Sequence, residues 1–218
     1  TRWMKEKFTN NTVLGYDPRL HKVNWIKNMN KLLKNKVKFV PINENPIDIY
    51  WNDRPDPPIG KALLLDLKYT GISSLKKRKD MGEIISNNKC DAAFITRLDS
   101  IAWLLNIRGN DVPCNPVLLS HGIIHANGNF DLFINKSKIP IGFNKHVGDN
   151  VKVHNENEMH SILCNLSGKN IQLDFNGSNA WACELIINAG ANVINKNDPC
   201  TLPKACKNET EIQGMKNC

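Results

Sequence analysis

No apolar run in this 218-residue chain approaches the roughly 18 residues that a membrane-spanning helix needs. The opening TRWMKEKFTNN has no hydrophobic stretch of a secretory signal. The seven cysteines (90, 114, 164, 183, 200, 206 and 218) include no C-x-x-C pair. Their odd number and wide dispersal argue for reduced thiols, not a disulfide framework. These absences imply a cytoplasmic setting with no membrane partner. The sequence also lacks H-E-x-x-H, G-x-S-x-G, the P-loop pattern and G-x-G-x-x-G, so no familiar catalytic or nucleotide-binding signature is present. No initiator methionine opens the chain, which reads as beginning inside a longer protein.

Positive charge and asparagine are what the chain has in plenty. A net charge of +8 raises the question of nucleic acid. The only dense basic run is Lys76-Lys77-Arg78-Lys79, with Asp80 and Glu83 close behind. A nucleic-acid surface would more often show a basic face interleaved with aromatics, so no nucleic-acid partner is expected, and a basic nucleic-acid binder stays only a minor reading. N-x-[ST] triplets at Asn10, Asn165 and Asn176 arise readily in so asparagine-rich a chain and are read as incidental.

Residues 12–16 (TVLGY) and 37–40 (VKFV) read as strands around a helix over 20–34. In that helix Val23, Ile26, Met29, Leu32 and Leu33 recur at spacings of three and four. A short helix follows Pro46. This β–α–β unit is too small to fold alone. Asp53-Arg54-Pro55-Asp56-Pro57-Pro58 places three prolines in four residues and behaves as a semi-rigid linker. Beyond it, a helix is expected over 73–88, with Leu75, Met81, Ile84 and Ile85 facing a core. DAAFIT (91–96) reads as a central strand. VLLSHGIIHANGNFDLFI reads as a hairpin whose Asn127-Gly128 suits a type I′ turn. Strands over 151–154 and 171–175 alternate with helices from about 156 and over 178–188. That alternation implies an α/β layered domain over 59–203. In the last 15 residues Asn208 reads as a helix cap, with Glu209 and Glu211 in the first turn.

Chemistry is harder to find. His121 and His125 fall in a strand pattern, where a spacing of four sets them about 13 Å apart, too far to share one ion. Asp66, Asp91, Asp131 and Asp174 lie near strand ends without a partner at recognisable spacing. Cys114 beside Pro113 has no neighbouring base and reads as a small loop hydrophobe. One stretch remains, ITRLDSIAWLLNIRGNDVPCNPV over 95–117. Asp99 is expected to cap its helix and Gly109 to end it, and Trp103 to hold it inward. Arg108 either binds the backbone carbonyls of its own helix end or points its donor fork at a carboxylate on a neighbouring domain or ligand.

RLDSIAWLLNIRGNDVPCNPV resembles the signature stretch of the second N-terminal domain in long, three-domain Xaa-Pro aminopeptidases (aminopeptidase P). VLGYDP, NPIDIYWNDRPDPP, LKYTGIS and KACKNETEIQGMKNC are similar to the same family and occur in the same order. The resemblance implies an α/β fold of the creatinase/prolidase N-terminal type, a ribonuclease H-like mixed sheet with flanking helices, preceded by a partial second copy. It divides the chain into the C-terminal part of domain I (1–53), a proline-rich linker (54–58), domain II (59–203) and the first helix of a catalytic domain (204–218).

Family members remove an N-terminal residue preceding proline, using two divalent ions, usually manganese, in a C-terminal pita-bread domain. No H-G-x-G-H and no paired-aspartate strand matches that centre here, so no cofactor is expected in this chain. The implied partners are its own catalytic domain, proline-containing short peptides and a second copy in a homodimer. The expected role is to cover the catalytic cleft, with Arg108 and Asp111, and Trp103 beside them, at a cleft-facing or interdomain contact. The other reading is an independent scaffold or binding module of the same fold.

Overall fold

The computed structural model describes residues 2–33 and 36–217; Lys34, which the sequence puts in the first long helix, and the terminal Cys218 lie outside them. Helix α1 (Arg2–Lys7) leads into β1 (Thr12–Tyr16), α2 (Val23–Leu32) and β2 (Val37–Pro41). The strands pair in parallel, with Thr12 opposite Val37. Helix α2 buries Val23, Ile26 and Met29, one face of a 3.6-residue period. It starts three residues later than its apolar pattern suggests. The Asp17 carboxylate accepts the Arg19 amide at 2.8 Å, and this local turn competes with helix at 17–20. Helix α3 (Pro46–Tyr50) opens on Pro46, and the Asn45 side chain accepts from the Ile47 amide at 3.0 Å.

This small unit is fastened to the remainder through residues 175–184. The Val23 amide donates to the Ser178 carbonyl (3.1 Å), Asn24 to Phe175 (3.0 Å), and Ala180 to His21 (2.8 Å). Tyr16 donates its hydroxyl to Glu184 at 3.2 Å; burial first, then that carboxylate, push the phenol up to about 12. Val23 joins the apolar cluster around Leu163, Ile171 and Ile186. A two-stranded unit that could not bury its own surface thus borrows a core.

The larger part runs through β3 (Leu63–Leu64), α4 (Leu67–Thr70), α5 (Ser74–Asn87), β4 (Ala92–Ile95), α6 (Leu98–Leu105) and β5 (Ile107–Arg108). It continues with β6 (His121–His125), β7 (Phe130–Phe133), α7 (Phe143–Val147), β8 (Val151–His154) and α8 (Met159–Cys164). It closes with β9 (Asn170–Leu173), α9 (Ala180–Asn188), β10 (Asn192–Asn195), α10 (Thr201–Ala205) and α11 (Glu209–Lys216). Six strands form one mixed sheet in the order β10-β9-β4-β6-β7-β8. Strand β4 pairs in parallel with β9 and antiparallel with β6, and every residue in it is buried. That is the continuous apolar run expected of a strand covered on both faces. One cluster, around Ile85, Leu104, Leu105 and Phe143, packs on one side of the sheet; the α8–α9 cluster packs on the other.

The β6–β7 hairpin forms, but not with a type I′ turn. Gly128 has φ +83°, while Asn127 is not among the residues with positive φ. The Gly128 amide donates to the His125 carbonyl and the His125 amide to the Asn129 carbonyl, each at 2.9 Å. This is a three-residue loop with glycine at the bulge, which needs only one left-handed residue.

Candidate functional site

The basic run on α5 does not face solvent as a block. Lys77 and Arg78 are buried, at 2% and 0% exposure. Arg78 spends its guanidinium on three carbonyls, those of Gly128 (2.7 Å), Val147 (2.9 Å) and Asp149 (2.8 Å). It ties α5 to the hairpin and to the end of α7. Lys77 donates to the Trp103 carbonyl (3.1 Å) and to Asn106 Oδ1 (2.8 Å), and lies 4.4 Å from the centre of the Trp103 ring. With no carboxylate in contact, burial pushes its ammonium down to about 8, against the pull of Glu211.

Helix α6 begins at Leu98 after Arg97, so Asp99 sits in the first turn and pairs with Lys204 instead of capping. The left-handed residue that ends it is Asn106 (φ 54°, ψ 43°), not Gly109. Asparagine tolerates this conformation, and its side chain is needed here. Asn106 accepts from Lys77 and donates to the Ile72 carbonyl at 2.8 Å, and its own carbonyl accepts from Leu65 and faces His146. Trp103 is 9% exposed and belongs to the core. Arg108 donates to the carbonyl of Ile107, its neighbour in β5, at 2.8 Å, and at 3.3 Å to the Ala102 carbonyl in the last turn of α6.

Asp111 is turned inward. Its side chain is 0% exposed and Lys138, at 2%, meets it at 2.6 Å; the Leu119 amide donates to the same oxygen at 2.7 Å. The polar loop after α6 is therefore pinned from inside. A fully desolvated aspartate cannot also face a cleft, so of the three residues singled out in this stretch only Arg108 reaches a surface.

That surface is an open groove of about 970 Å³ where Arg108 meets Lys68 and Tyr69 of α4 and Glu211, Gln213 and Met215 of α11. Helix α11 is held by a capping box: the Glu211 amide donates to Asn208 Oδ1 at 3.0 Å, and the Asn208 amide donates to Glu211 Oε2 at 3.1 Å. The remaining Asn208 donor reaches the Thr70 carbonyl at 2.9 Å. Gly71, left-handed at φ +67°, allows the close approach; a Cβ there would lie 2.7 Å from Asn208 Oδ1.

A second polar cluster spans β6, β7 and β8, where sequence spacing gave no hint of it. Asp131 on β7 receives His125 Nε2 (2.7 Å) and His154 Nε2 (2.8 Å) from the flanking strands. Burial favours the neutral acid, but the two imidazoles outweigh it and hold the carboxyl below its ordinary value. His121 stacks on Phe94, and burial lowers its pKa. Asp174 pairs with Arg97 at 3.5 Å, and Asp91 accepts the Asn170 amide at 2.7 Å. Cys114 is exposed and left-handed (φ 60°), and the six cysteines among the described residues are free thiols.

Among the described residues no three His, Cys, Asp or Glu side chains are arranged to hold a metal ion. In the His125–Asp131–His154 cluster each imidazole turns its Nε2 to the Asp131 carboxylate. The donor set does not fit a two-ion centre.

Residues 53–211 match the family model of the creatinase/prolidase N-terminal domain. Over 99% of its length the chain is 31% identical to probable Xaa-Pro aminopeptidase P from Ajellomyces capsulatus, and 31% identical to that from Aspergillus clavatus. It spans 37% and 34% of those relatives, little more than a third. X-prolyl aminopeptidase from Caenorhabditis elegans, described as a cytosolic enzyme with a di-nuclear active site, superposes on 99% of the chain. The TM-score is 0.88 at 30% identity, over 36% of that enzyme. Xaa-Pro dipeptidase from Bacillus anthracis shares the fold at 10% identity, with a TM-score of 0.52 over 66% of this chain and 39% of the dipeptidase. The mixed sheet with helices on both faces is the one these proteins share, and the chain belongs to the creatinase/prolidase N-terminal domain family.

Proposed function

We propose that this chain is the non-catalytic N-terminal part of a cytosolic Xaa-Pro aminopeptidase, and that it covers the catalytic cleft and limits entry to short proline-containing peptides. Residues 1–53 are the end of domain I, 54–58 the linker, 59–203 domain II, and 204–218 the first helix of a catalytic domain. The two metal ions, usually manganese, belong to that catalytic domain, and the whole enzyme works as a homodimer. One observation carries this reading. The superposition on the C. elegans enzyme covers 99% of the chain, so it takes in the small β–α–β unit and α11 as well as the sheet domain.

Within this reading Arg108 is the gating contact. Its half-buried guanidinium is anchored by the Ala102 carbonyl of α6 and the Ile107 carbonyl of its own strand and faces the α4–α11 groove. Trp103 and Asp111 act behind it, the first by filling the core and the second by fixing the loop through Lys138. In the chain extended through its catalytic region, Arg108→Ala is expected to raise KM for Xaa-Pro peptides by roughly 3- to 10-fold while metal content stays unchanged. Unaltered kinetics together with an unaltered melting temperature would remove Arg108 from this role.

A further inference from the structure

We propose that the α4–α11 groove is a carboxylate site, in which the Arg108 guanidinium takes the terminal carboxylate of a short peptide. The inference rests on the reading above. An aminopeptidase holds the amino end of its substrate at the reacting centre, which leaves the carboxyl end to meet the region that covers it. The unspent donors of Arg108 point to this ligand. Both of its hydrogen bonds, to the Ala102 and Ile107 carbonyls, leave from Nη1. Among the described residues Nε and Nη2 donate to nothing, and Arg108 makes no ion pair. Those two nitrogens form one edge of the guanidinium plane, and such an edge meets a carboxylate through two parallel hydrogen bonds. The two carbonyls fix the plane before any ligand arrives, which lowers the cost of binding.

The other charges lining the groove leave this demand unmet. Glu209 and Glu211 stand in the first turn of α11, where carboxylates offset the positive end of a helix. Glu211 also accepts the Asn208 amide at 3.1 Å. Lys68 lies 3.8 Å from Asp66, while Lys207 donates to the Lys204 carbonyl at 2.7 Å and has no ion pair among the described residues. Lys207 and Arg108 are thus two cations on one groove with dipoles as their only direct partners. The side chains of Tyr69 and Met215, both exposed, give the groove an apolar wall for the residues that precede a terminal carboxylate.

NMR of the ¹⁵N-labelled 218-residue chain, followed at the Arg108 Nε–Hε signal, tests the site at neutral pH, where a terminal carboxylate is ionised. The probes are the tripeptide Ala-Pro-Ala and the same tripeptide closed as its C-terminal amide. The free acid is expected to shift the Arg108 signal and the amides of Tyr69 and Met215 with roughly millimolar affinity, and the amide form to bind roughly 5- to 10-fold more weakly. Arg108→Gln keeps a donor for the Ala102 carbonyl and is expected to bind acid and amide alike.

Equal binding of the two peptides by the wild-type chain, an unmoved Arg108 signal, or an acid preference that survives Arg108→Gln would overturn the site. Turnover of Ala-Pro-Ala by the chain extended through its catalytic region, with no shift at Arg108, would remove the carboxylate site and leave the aminopeptidase reading standing. An acid preference centred on Arg108 without such turnover would support the site and remove that reading.

Discussion

Arg78 and the bracketed carboxylate of Asp131 are held in the fold by different partners, and each makes a distinct prediction. Arg78 satisfies three carbonyls, one in the β6–β7 hairpin and two in the segment that ends α7. Arg78→Ala orphans all of them and is expected to cost about 3–5 kcal/mol in urea unfolding. Arg78→Lys should recover less than half, because one ammonium cannot reach Gly128, Val147 and Asp149 together. A loss below about 1 kcal/mol in Arg78→Ala would mean that water replaces the guanidinium. Asp131 behaves differently. Its folded pKa is depressed by the two histidines, so the stability it contributes is present above the unfolded carboxylate value and lost as pH falls through the folded one. Asp131→Asn is expected to cost about 2 kcal/mol at pH 7, and the gap to wild type should close below about pH 4. A gap that persists unchanged at pH 3 would show that the carboxylate charge plays no part.

At the scale of elements, the α4–α11 joint depends on a glycine more than on apolar burial. In Gly71→Ala the added Cβ meets Asn208 Oδ1 at 2.7 Å and Thr210 at 2.9 Å, on a backbone already at φ +67°. The substitution is expected to cost about 1–2 kcal/mol, read as lost amide protection in α11 while strands β4 and β6 keep theirs. Uniform loss across the sheet would mean that the joint is not a separable unit. The elements themselves were legible where periodicity is local. Helix α2, strand β4, the β6–β7 hairpin and the Asn208 cap of α11 all follow from spacing and composition. The rest depends on partners distant in sequence. The Lys76–Lys79 run looks like a solvated face, yet Lys77 and Arg78 are drawn inward by carbonyls up to 71 residues away. Asp131 finds its histidines only once β6, β7 and β8 fall into register. The turn at Asn127-Gly128 differs in type from the one expected, and α6 ends at Asn106 instead of Gly109, because several residues fit each position locally and tertiary hydrogen bonds choose among them.

Across the whole molecule, a six-stranded sheet with helices on both faces anchors a small β–α–β unit at one side and presents α11 at another. Among the described residues nothing is arranged to hold a metal ion, and the polar groups that are present fasten loops and helices to the sheet. On this account the chain shapes access to a reaction performed by other residues. The direct test is hydrolysis of an Xaa-Pro peptide by the purified 218-residue chain supplied with manganese, measured beside the same chain extended through a pita-bread region. Turnover by the extended protein with none above buffer from the shorter one is the expected result. Metal-dependent cleavage by the 218-residue chain alone would contradict it.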